Sequence, residues 1–246
     1  MIIPKLIHQV IIVDGFEMPK LPQGFNNAIK SYKTLNPEYK HTLYTGNKCR
    51  KFIKQHFDSN ILKNFDKLIP YTYKCDFFRL LVLWVHGGWY ADARQVCLKS
   101  LDELSSTGHE FYAPLSKPPY NNISLESAFI GCTPKHPIIK KGIDLIMWNI
   151  DHEHYGIECL FVTSGGMFMN AGIDYIRKNP DKCNIGQVVV KQGTEEYIVF
   201  NNKIFIRRKY NDAEGADNSD VEGTNHYGNL WRTWQVYAQD TPRLED

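Results

Sequence analysis

The chain has 246 residues, of which 43% are hydrophobic and 23% charged, and its formal net charge is +2. This composition is typical of a folded globular protein and disfavours a disordered or fibrous one. The near-neutral balance disfavours nucleic acid as a partner, because a sequence-independent grip on phosphates usually requires a strongly basic domain. The six cysteines form no C-x-x-C pair and no His/Cys cluster, so we expect reduced thiols rather than a structural zinc site.

The N-terminal segment predicts neither a signal peptide nor a membrane anchor. Its apolar run is broken by Pro4, Lys5, His8 and Gln9, whereas a signal peptide has a continuous apolar stretch. The longest apolar run, residues 80–85, is far shorter than the roughly 20 residues that a membrane span needs. We therefore expect a soluble, cytoplasmic protein with at most peripheral membrane contact.

The first third of the chain has the order strand, helix, strand. Residues 6–13 are apolar at both parities, which indicates a strand buried on both faces. A helical pattern follows at 25–35, then a strand at 39–45 and two short lysine-rich helices at 47–57 and 59–69. Pro70 begins a longer apolar helix that the pair Gly87-Gly88 ends.

The remainder continues this alternation. Strands are predicted at 89–92, 96–98, 111–113, 127–130, 188–190, 197–200 and 204–206, and helices at 138–149 and 166–178. Residues 211–224 contain five acids and no base, which predicts a mobile loop before an aromatic segment at 226–234. The pattern favours a single α/β domain over 1–246 with a mostly parallel central sheet flanked by helices.

Three charged residues around the glycine pair are candidates for a site. Asp76 and Arg79 lie on one face of the apolar helix. An ordinary surface ion pair is one explanation, but burial makes paired charges costly unless they face a cleft. Asp92 follows a short strand, where α/β sheets place ligand-binding groups, although an aspartate that caps a turn would fit as well.

Several motifs in order resemble the glycosyltransferase family 32 type of D-x-D sugar transferases, to which the clostridial glucosylating toxins are distantly related. They are I-P-K-L-I-H-Q at 3–9, K-C-D-x-x-R at 74–79, G-G-x-Y-x-D at 87–92, L-K-S-L-D at 98–102, S-A-F-I-G-C-T-P-K-H-P at 127–137 and T-S-G-G at 163–166. The resemblance implies a GT-A (Rossmann-like) fold, a nucleotide-sugar donor and transfer with retention of anomeric configuration.

The resemblance also implies roles for individual residues. Asp76 and Arg79 would bind hydroxyls of the donor sugar, Tyr90 would lie near the donor, and Asp92 would bind ribose or reach a metal through water. His8 and Gln9 of the opening strand would be further donor-binding residues. A closing segment that covers the donor diphosphate in related enzymes is similar to His226-x-x-Asn229-x-Trp231. There His226 would be a metal ligand, and Trp231 is equally well explained as a core aromatic residue.

One position departs from the family pattern. Where the family has the second aspartate of D-x-D, this chain has Arg94. Mg²⁺ or Mn²⁺ needs oxygen ligands and neutralises the leaving diphosphate, whereas arginine cannot bind a metal but can donate two hydrogen bonds to a phosphate. Three outcomes follow: Arg94 replaces the cation, the cation is held by Asp92 with His226 or a loop acid, or activity is lost.

The predicted function is transfer of a hexose from a nucleotide-diphosphate sugar, with UDP-sugars favoured, to a hydroxyl of a glycan or lipid-linked glycan. Polysaccharide synthesis at a bacterial or viral surface suits the lysine- and asparagine-rich composition. Glu126, which immediately precedes a predicted strand, is a candidate for a catalytic group near the anomeric carbon, together with Asp92 and Arg94. The alternative is a catalytically inactive protein that binds nucleotide sugars.

Overall fold

The computed structural model describes residues 2–116, 124–191, 195–209 and 221–239. Within these ranges one nine-stranded sheet has the strand order β2-β1-β3-β6-β5-β7-β8-β9-β4. The strands are β1 Leu6–Val10, β2 Lys40–Tyr44, β3 Gly88–Ala91, β4 Val96–Cys97, β5 Phe111–Leu115, β6 Phe129–Cys132, β7 Cys183–Lys191, β8 Glu195–Phe200 and β9 Lys203–Lys209. The predicted α/β class is confirmed.

The sheet is mixed rather than mostly parallel. β1 pairs in parallel with β2 and β3, and β5 with β7, but the other pairings between neighbouring strands are antiparallel. The difference arises in the second half, where β8 and β9 are joined by only Asn201 and Asn202. Both have positive φ, 50° and 61°, as the central residues of a two-residue hairpin require. Such short connections exclude the crossover that parallel neighbours need.

Eight α-helices cover the sheet in the described ranges. They are α1 Gln23–Leu35, α2 Gly46–His56, α3 Ser59–Lys67, α4 Tyr71–His86, α5 Asp102–Ser105, α6 Pro137–Asp151, α7 Gly165–Lys178 and α8 Tyr227–Arg232. The apolar helix predicted after Pro70 is thus present, and it ends as expected. Gly87 has φ 61° and Gly88 φ 91°, and a Cβ on Gly88 would lie 2.7 Å from the Leu6 carbonyl oxygen. This close approach sets β3 beside β1.

The helix α4 is buried between the sheet and other helices, which explains why its sequence is apolar on nearly all sides. Its side chains Phe77, Phe78 and Leu81 have no exposed surface. Its buried Lys74 donates to the carbonyls of Phe65 (2.6 Å) and Asp66 (3.0 Å) in the last turn of α3, and burial lowers the lysine pKa to about 8. Lys74 therefore joins α4 to α3. Asp76 and Arg79 are the charged residues of α4 that lie near the ends of the strands.

The predicted acidic loop lies largely outside the described residues, which resume at Val221. Val221 is buried, and the amide of Asp14 donates to the Gly223 carbonyl at 2.9 Å. Residues 221–225 are therefore packed against the segment that follows β1.

Candidate active site

The candidate site lies beyond the carboxyl ends of the parallel strands β1 and β3. Asp92 comes directly after β3, and its amide donates to the Ala128 carbonyl at 3.0 Å. The amide of Gln95 donates to the Asp92 carbonyl, also at 3.0 Å, which closes a tight turn through Arg94. Ligand-binding groups in α/β sheets collect at this kind of edge.

A buried ion-pair network joins α4 to that turn. Arg79 Nη2 lies 2.7 Å from Asp76 Oδ1 and 3.1 Å from Asp92 Oδ1. The side chains of Asp76 and Arg79 are 3% and 4% exposed, against 30% for Asp92. The surface ion pair considered from the sequence is therefore excluded, because only the Asp92 end of the network reaches solvent.

Hydroxyl groups complete the network. Thr163 donates to Asp76 Oδ2 (2.7 Å), and Arg79 Nη1 donates to Ser127 Oγ (2.7 Å), which in turn lies 2.8 Å from Ser164 Oγ. Burial raises the pKa of Asp76, although Arg79 and the Thr163 hydroxyl act in the opposite direction. These partners fix the carboxylate and the guanidinium before any ligand arrives.

Tyr90 holds the exposed end of the network. Its hydroxyl donates to Asp92 Oδ1 at 2.9 Å, and the Arg79 guanidinium lies 4.6 Å from the centre of its ring. Tyr90 is only 1% exposed, so the ring supports Arg79 from within the sheet while the hydroxyl orients Asp92.

Two cavities meet at this network. The smaller, about 90 Å³, lies at the end of β1 and has both apolar and polar groups in its lining. Residues of its wall include Val10, Ile11, Ile12, Phe25, Tyr71 and Asn225. The larger, about 320 Å³, is lined by many charged groups, among them Asp76, Glu126, Glu158, Glu196 and Arg208. Thr72, Arg79, Asp92 and Arg94 line both cavities, so the four residues form a shared wall.

A second charge cluster stands across the larger cavity. Arg208 Nη2 donates to Glu126 Oε2 at 2.6 Å, and Arg208 Nη1 pairs with Glu196. The other oxygen of Glu126 accepts from the Ala128 amide at 3.3 Å. Glu126 thus has a defined orientation in the cavity, and Arg208 is the side chain that sets it.

The two candidates in β1 do not join this network through their side chains. His8 is 2% exposed, and its Nε2 donates to the Gly87 carbonyl at 3.0 Å. Gln9 lies on the other face of the strand. Its Oε1 bonds His41 at 2.6 Å, and its Nε2 is 3.5 Å from the Asp92 carbonyl oxygen. Neither residue lines a cavity at the shared wall, so in this structure they support the strand and the turn.

Buried His8 predicts loss of stability in mild acid. Desolvation lowers its pKa to about 4, below the unfolded value near 6.5, so the unfolded chain binds more protons between these values. Stability contributed by neutral His8 is full above about pH 6.5 and falls toward pH 4, by about 2 kcal/mol at pH 5. In His8→Asn this loss should be absent. The free energy of unfolding, measured with urea, should therefore fall by about 2 kcal/mol less than in the wild type when the pH is lowered to 5.

The matched control is exposed His152, whose replacement by asparagine should leave that slope unchanged. An equal slope in His8→Asn and the wild type would contradict the prediction.

The closing segment, from His226 to Trp231, contains both packed and exposed residues. Trp231 Nε1 donates to the Tyr155 carbonyl at 2.7 Å, and the ring packs against the core. His226 and Asn229 are exposed, and His226 Nδ1 accepts from the Asn229 amide at 3.2 Å. Tyr227, between them, does line the larger cavity. The start of α8 therefore borders the site, with Trp231 as its packed anchor.

The described residues do not fit a divalent cation of the D-x-D type. One oxygen of Asp92 already accepts from Arg79 and Tyr90, and Arg94 occupies the position of the second carboxylate. Residues 2–116, 124–191, 195–209 and 221–239 contain no group of three His, Cys, Asp or Glu side chains able to hold a metal. The loop acids considered from the sequence lie at 212–220, outside these ranges, and Glu222 lies within them.

Sequence reasoning did not single out several residues of the site. Thr163 and Ser164 belong to the T-S-G-G motif at 163–166, for which the sequence predicted no role at the site. Glu196 and Arg208 lie on the neighbouring strands β8 and β9, just beyond the strands predicted at 197–200 and 204–206. Longer strand predictions would have placed these two charges side by side.

The comparisons with known proteins agree with the motifs. Residues 22–110 match the model of a "Glycosyltransferase sugar-binding region containing DXD motif". The chain is 28% identical over 179 residues to an uncharacterized glycosyltransferase of Acanthamoeba polyphaga mimivirus, covering 72% of this chain and 68% of that protein. It is 28% identical over 150 residues to inositol phosphoceramide mannosyltransferase 2 of Schizosaccharomyces pombe. This alignment covers 61% of the chain and 39% of the yeast protein.

A solved structure supports the fold. The PaToxG glycosyltransferase superimposes with a TM-score of 0.54 at 18% identity, over 72% of this chain and 71% of that one. In the part of the chain that the structure describes, no helix combines the length and apolarity required to span a bilayer. The resemblance and the enzyme class that the motifs predicted are thus confirmed: residues 22–110 match the sugar-binding region that contains the DXD motif, and the chain is similar to glycosyltransferases.

Proposed function

We propose that this chain transfers a hexose from a nucleoside-diphosphate sugar to a hydroxyl of a glycan or lipid-linked glycan, with retention of anomeric configuration. The observation that carries the proposal is the shared wall, where the buried Asp76–Arg79 pair reaches Asp92. On one side of this wall is a cavity with apolar residues from the end of β1, and on the other is a charged cavity. A nucleotide sugar has the matching sequence of parts: an aromatic base, a charged diphosphate and a polar sugar.

The proposal places the nucleoside in the smaller cavity. Val10, Ile12 and Phe25 offer an apolar surface for the base, and the Asp92 carboxylate at the cavity edge suits the ribose hydroxyls. The family resemblance favours UDP-sugars as donors. The relative in Schizosaccharomyces pombe is named a mannosyltransferase, which supports mannose among the candidate hexoses, so GDP-sugars belong in the same trials as UDP-sugars.

The donor sugar then enters the larger cavity. Asp76 lines it, and each of its oxygens retains a lone pair after bonding Arg79 and Thr163. A sugar hydroxyl can donate to that carboxylate, and the fixed position of Asp76 lowers the ordering cost of binding. Tyr90, which also lines the smaller cavity, contributes by holding Asp92 and Arg79 in place.

Transfer with retention requires attack and departure on the same face of the sugar. In the proposed step the bond between the anomeric carbon and the diphosphate oxygen breaks, and the acceptor oxygen bonds the same carbon. The acceptor proton passes to the departing diphosphate. The anomeric carbon carries positive charge as this occurs, and Glu126 is the carboxylate proposed to stabilise it.

The second candidate function is nucleotide-sugar binding without transfer. Arg94 favours it, because a transferase that loses its second D-x-D carboxylate and gains nothing in exchange would keep its binding cavities and lose its catalysis. The two functions differ in whether the bond from sugar to phosphate is ever broken.

The test compares UDP and GDP with UDP- and GDP-hexoses by calorimetry and then measures donor hydrolysis and transfer. In Asp76→Asn the nucleoside diphosphate should bind as in the wild type, whereas the matching hexose donor should bind about 10- to 100-fold more weakly. Asp144→Asn, at an exposed ion pair on α6, is the control. Donor binding without hydrolysis or transfer would favour the second function, and failure to bind any nucleotide sugar would contradict both.

A further inference from the structure

We infer that Arg94 takes the place of the divalent cation, so that this chain binds the donor diphosphate without a metal. The inference rests on the proposed function and assigns a residue to the diphosphate. It concerns the one position at which the chain departs from the D-x-D pattern.

Arg94 lies on the wall between the two cavities. A nucleotide sugar that places its base in the smaller cavity and its sugar in the larger one must pass its diphosphate along the wall that they share. That wall consists of Thr72, Arg79, Asp92 and Arg94. Arg94 is partly buried on the turn closed by the Gln95 amide, so its backbone is fixed at this junction.

The other two arginines that line the cavities each lie between carboxylates. Arg79 pairs with Asp76 and Asp92, and Arg208 pairs with Glu126 and Glu196. Each of these guanidinium groups lies between two carboxylates and adds little net positive charge. We therefore assign these two arginines to their own clusters rather than to the diphosphate.

An arginine can take over the chemical role of a cation at a diphosphate. A diphosphate carries several negative charges, and either a hard cation or a guanidinium can neutralise them. A cation would have to bind at Asp92, one oxygen of which already accepts from Arg79 and Tyr90, with the positive charge of Arg94 two residues away. Guanidinium has five N–H donors in a planar fork that matches phosphate oxygens, so Arg94 can bind the diphosphate while keeping a protein contact.

The test uses UDP and GDP as probes in calorimetric titrations of the full chain, with excess chelator or with Mn²⁺. The nucleotide that binds the wild type should do so with the same affinity, within about threefold, in both conditions. Arg94→Gln should weaken binding about 10- to 100-fold in both. Arg94→Asp restores a D-x-D pair, so it should bind weakly with chelator and at least about tenfold more tightly with Mn²⁺.

The control is Arg177→Gln on the exposed face of α7, which should bind like the wild type, and circular dichroism confirms that each variant is folded. Wild-type binding that requires Mn²⁺, or unchanged binding in Arg94→Gln, would overturn the inference and leave the proposed function standing. Arg94→Asp that gains nothing from Mn²⁺ would also count against it. Failure of the wild type to bind either nucleotide in either condition would overturn the proposed function and the inference together.

Discussion

Arg79→Met is expected to destabilise the folded chain by about 3–5 kcal/mol, because it leaves the carboxylate of Asp76 buried without its counter-charge. Asp76 is 3% exposed and has Thr163 as its other hydrogen-bond partner. The midpoint and slope of urea unfolding measure the loss. Arg177→Met on α7, whose side chain is exposed, should change stability by less than about 0.5 kcal/mol.

The same variant should show a distinctive dependence on pH. The Arg79 guanidinium lowers the pKa of Asp76 against the effect of burial, so removing it raises the folded pKa further above the unfolded value. The folded variant then binds this proton more tightly than the unfolded chain does. The contribution of Asp76 to its stability is greatest below the unfolded pKa near 4 and falls as pH rises toward the raised pKa, so the gap to the wild type should widen as the pH is raised from about 5.

A double variant separates lost charge balance from lost packing. Asp76→Asn combined with Arg79→Met removes both charges, and we expect it to be more stable than the sum of the single losses by about 1–3 kcal/mol. It should also lose the widening of the gap with pH. Additive losses and a constant gap would show that Arg79 acts by packing alone, contrary to the role assigned to the ion pair.

The sequence predicted the first half of the fold well because each element there has a strong local signal. The apolar helix opened by Pro70 and ended by Gly87-Gly88 has both end signals, and the structure places it at Tyr71–His86. The second half has weaker local signals. β7 runs from Cys183 to Lys191, whereas only residues 188–190 have the β-branched run that predicts a strand.

The mixed character of the sheet was missed for a related reason. Strand direction depends on how segments far apart in the chain pair with each other, as when β6 inserts between β3 and β5. No local sequence pattern determines which distant strands pair or in which direction. The pair Asn201 and Asn202 does indicate an antiparallel hairpin, since asparagine tolerates positive φ.

At the candidate site, the charged residues of the apolar helix α4 could be predicted from the sequence, because burying a charge is costly. The charged residues of β8 and β9 could not. Asp76 and Arg79 stand out because they interrupt an apolar helix, and the structure joins both to Asp92. Arg208 does not stand out from its neighbours in the sequence in this way, because they are also basic. Its importance arises from the register of β8 and β9, which brings it to Glu196, and from its reach to Glu126.

Glu126→Gln is expected to lower the turnover number for hexose transfer by about 10²–10³ while donor affinity stays within about threefold of the wild type. The reason is that the carboxylate is proposed to stabilise positive charge that develops only in the transition state, which affects turnover rather than ground-state binding. Initial rates at saturating donor and calorimetric affinities measure the two effects separately. Equal losses in affinity and turnover would place Glu126 in donor binding instead.

Arg208 offers an independent check on this assignment, because it positions Glu126 through a 2.6 Å bond without being proposed to contact the sugar. Arg208→Gln should reduce turnover about tenfold to a hundredfold, and Arg208→Lys should recover part of it, since a lysine retains the charge but loses the second guanidinium contact. Lys203→Gln, at an exposed pair on the same strand, should leave turnover unchanged. In the background of Glu126→Gln the Arg208 substitutions should cost little more, because the residue they position is already gone. A full additional loss in that background would mean that Arg208 acts on the reaction by a route other than Glu126.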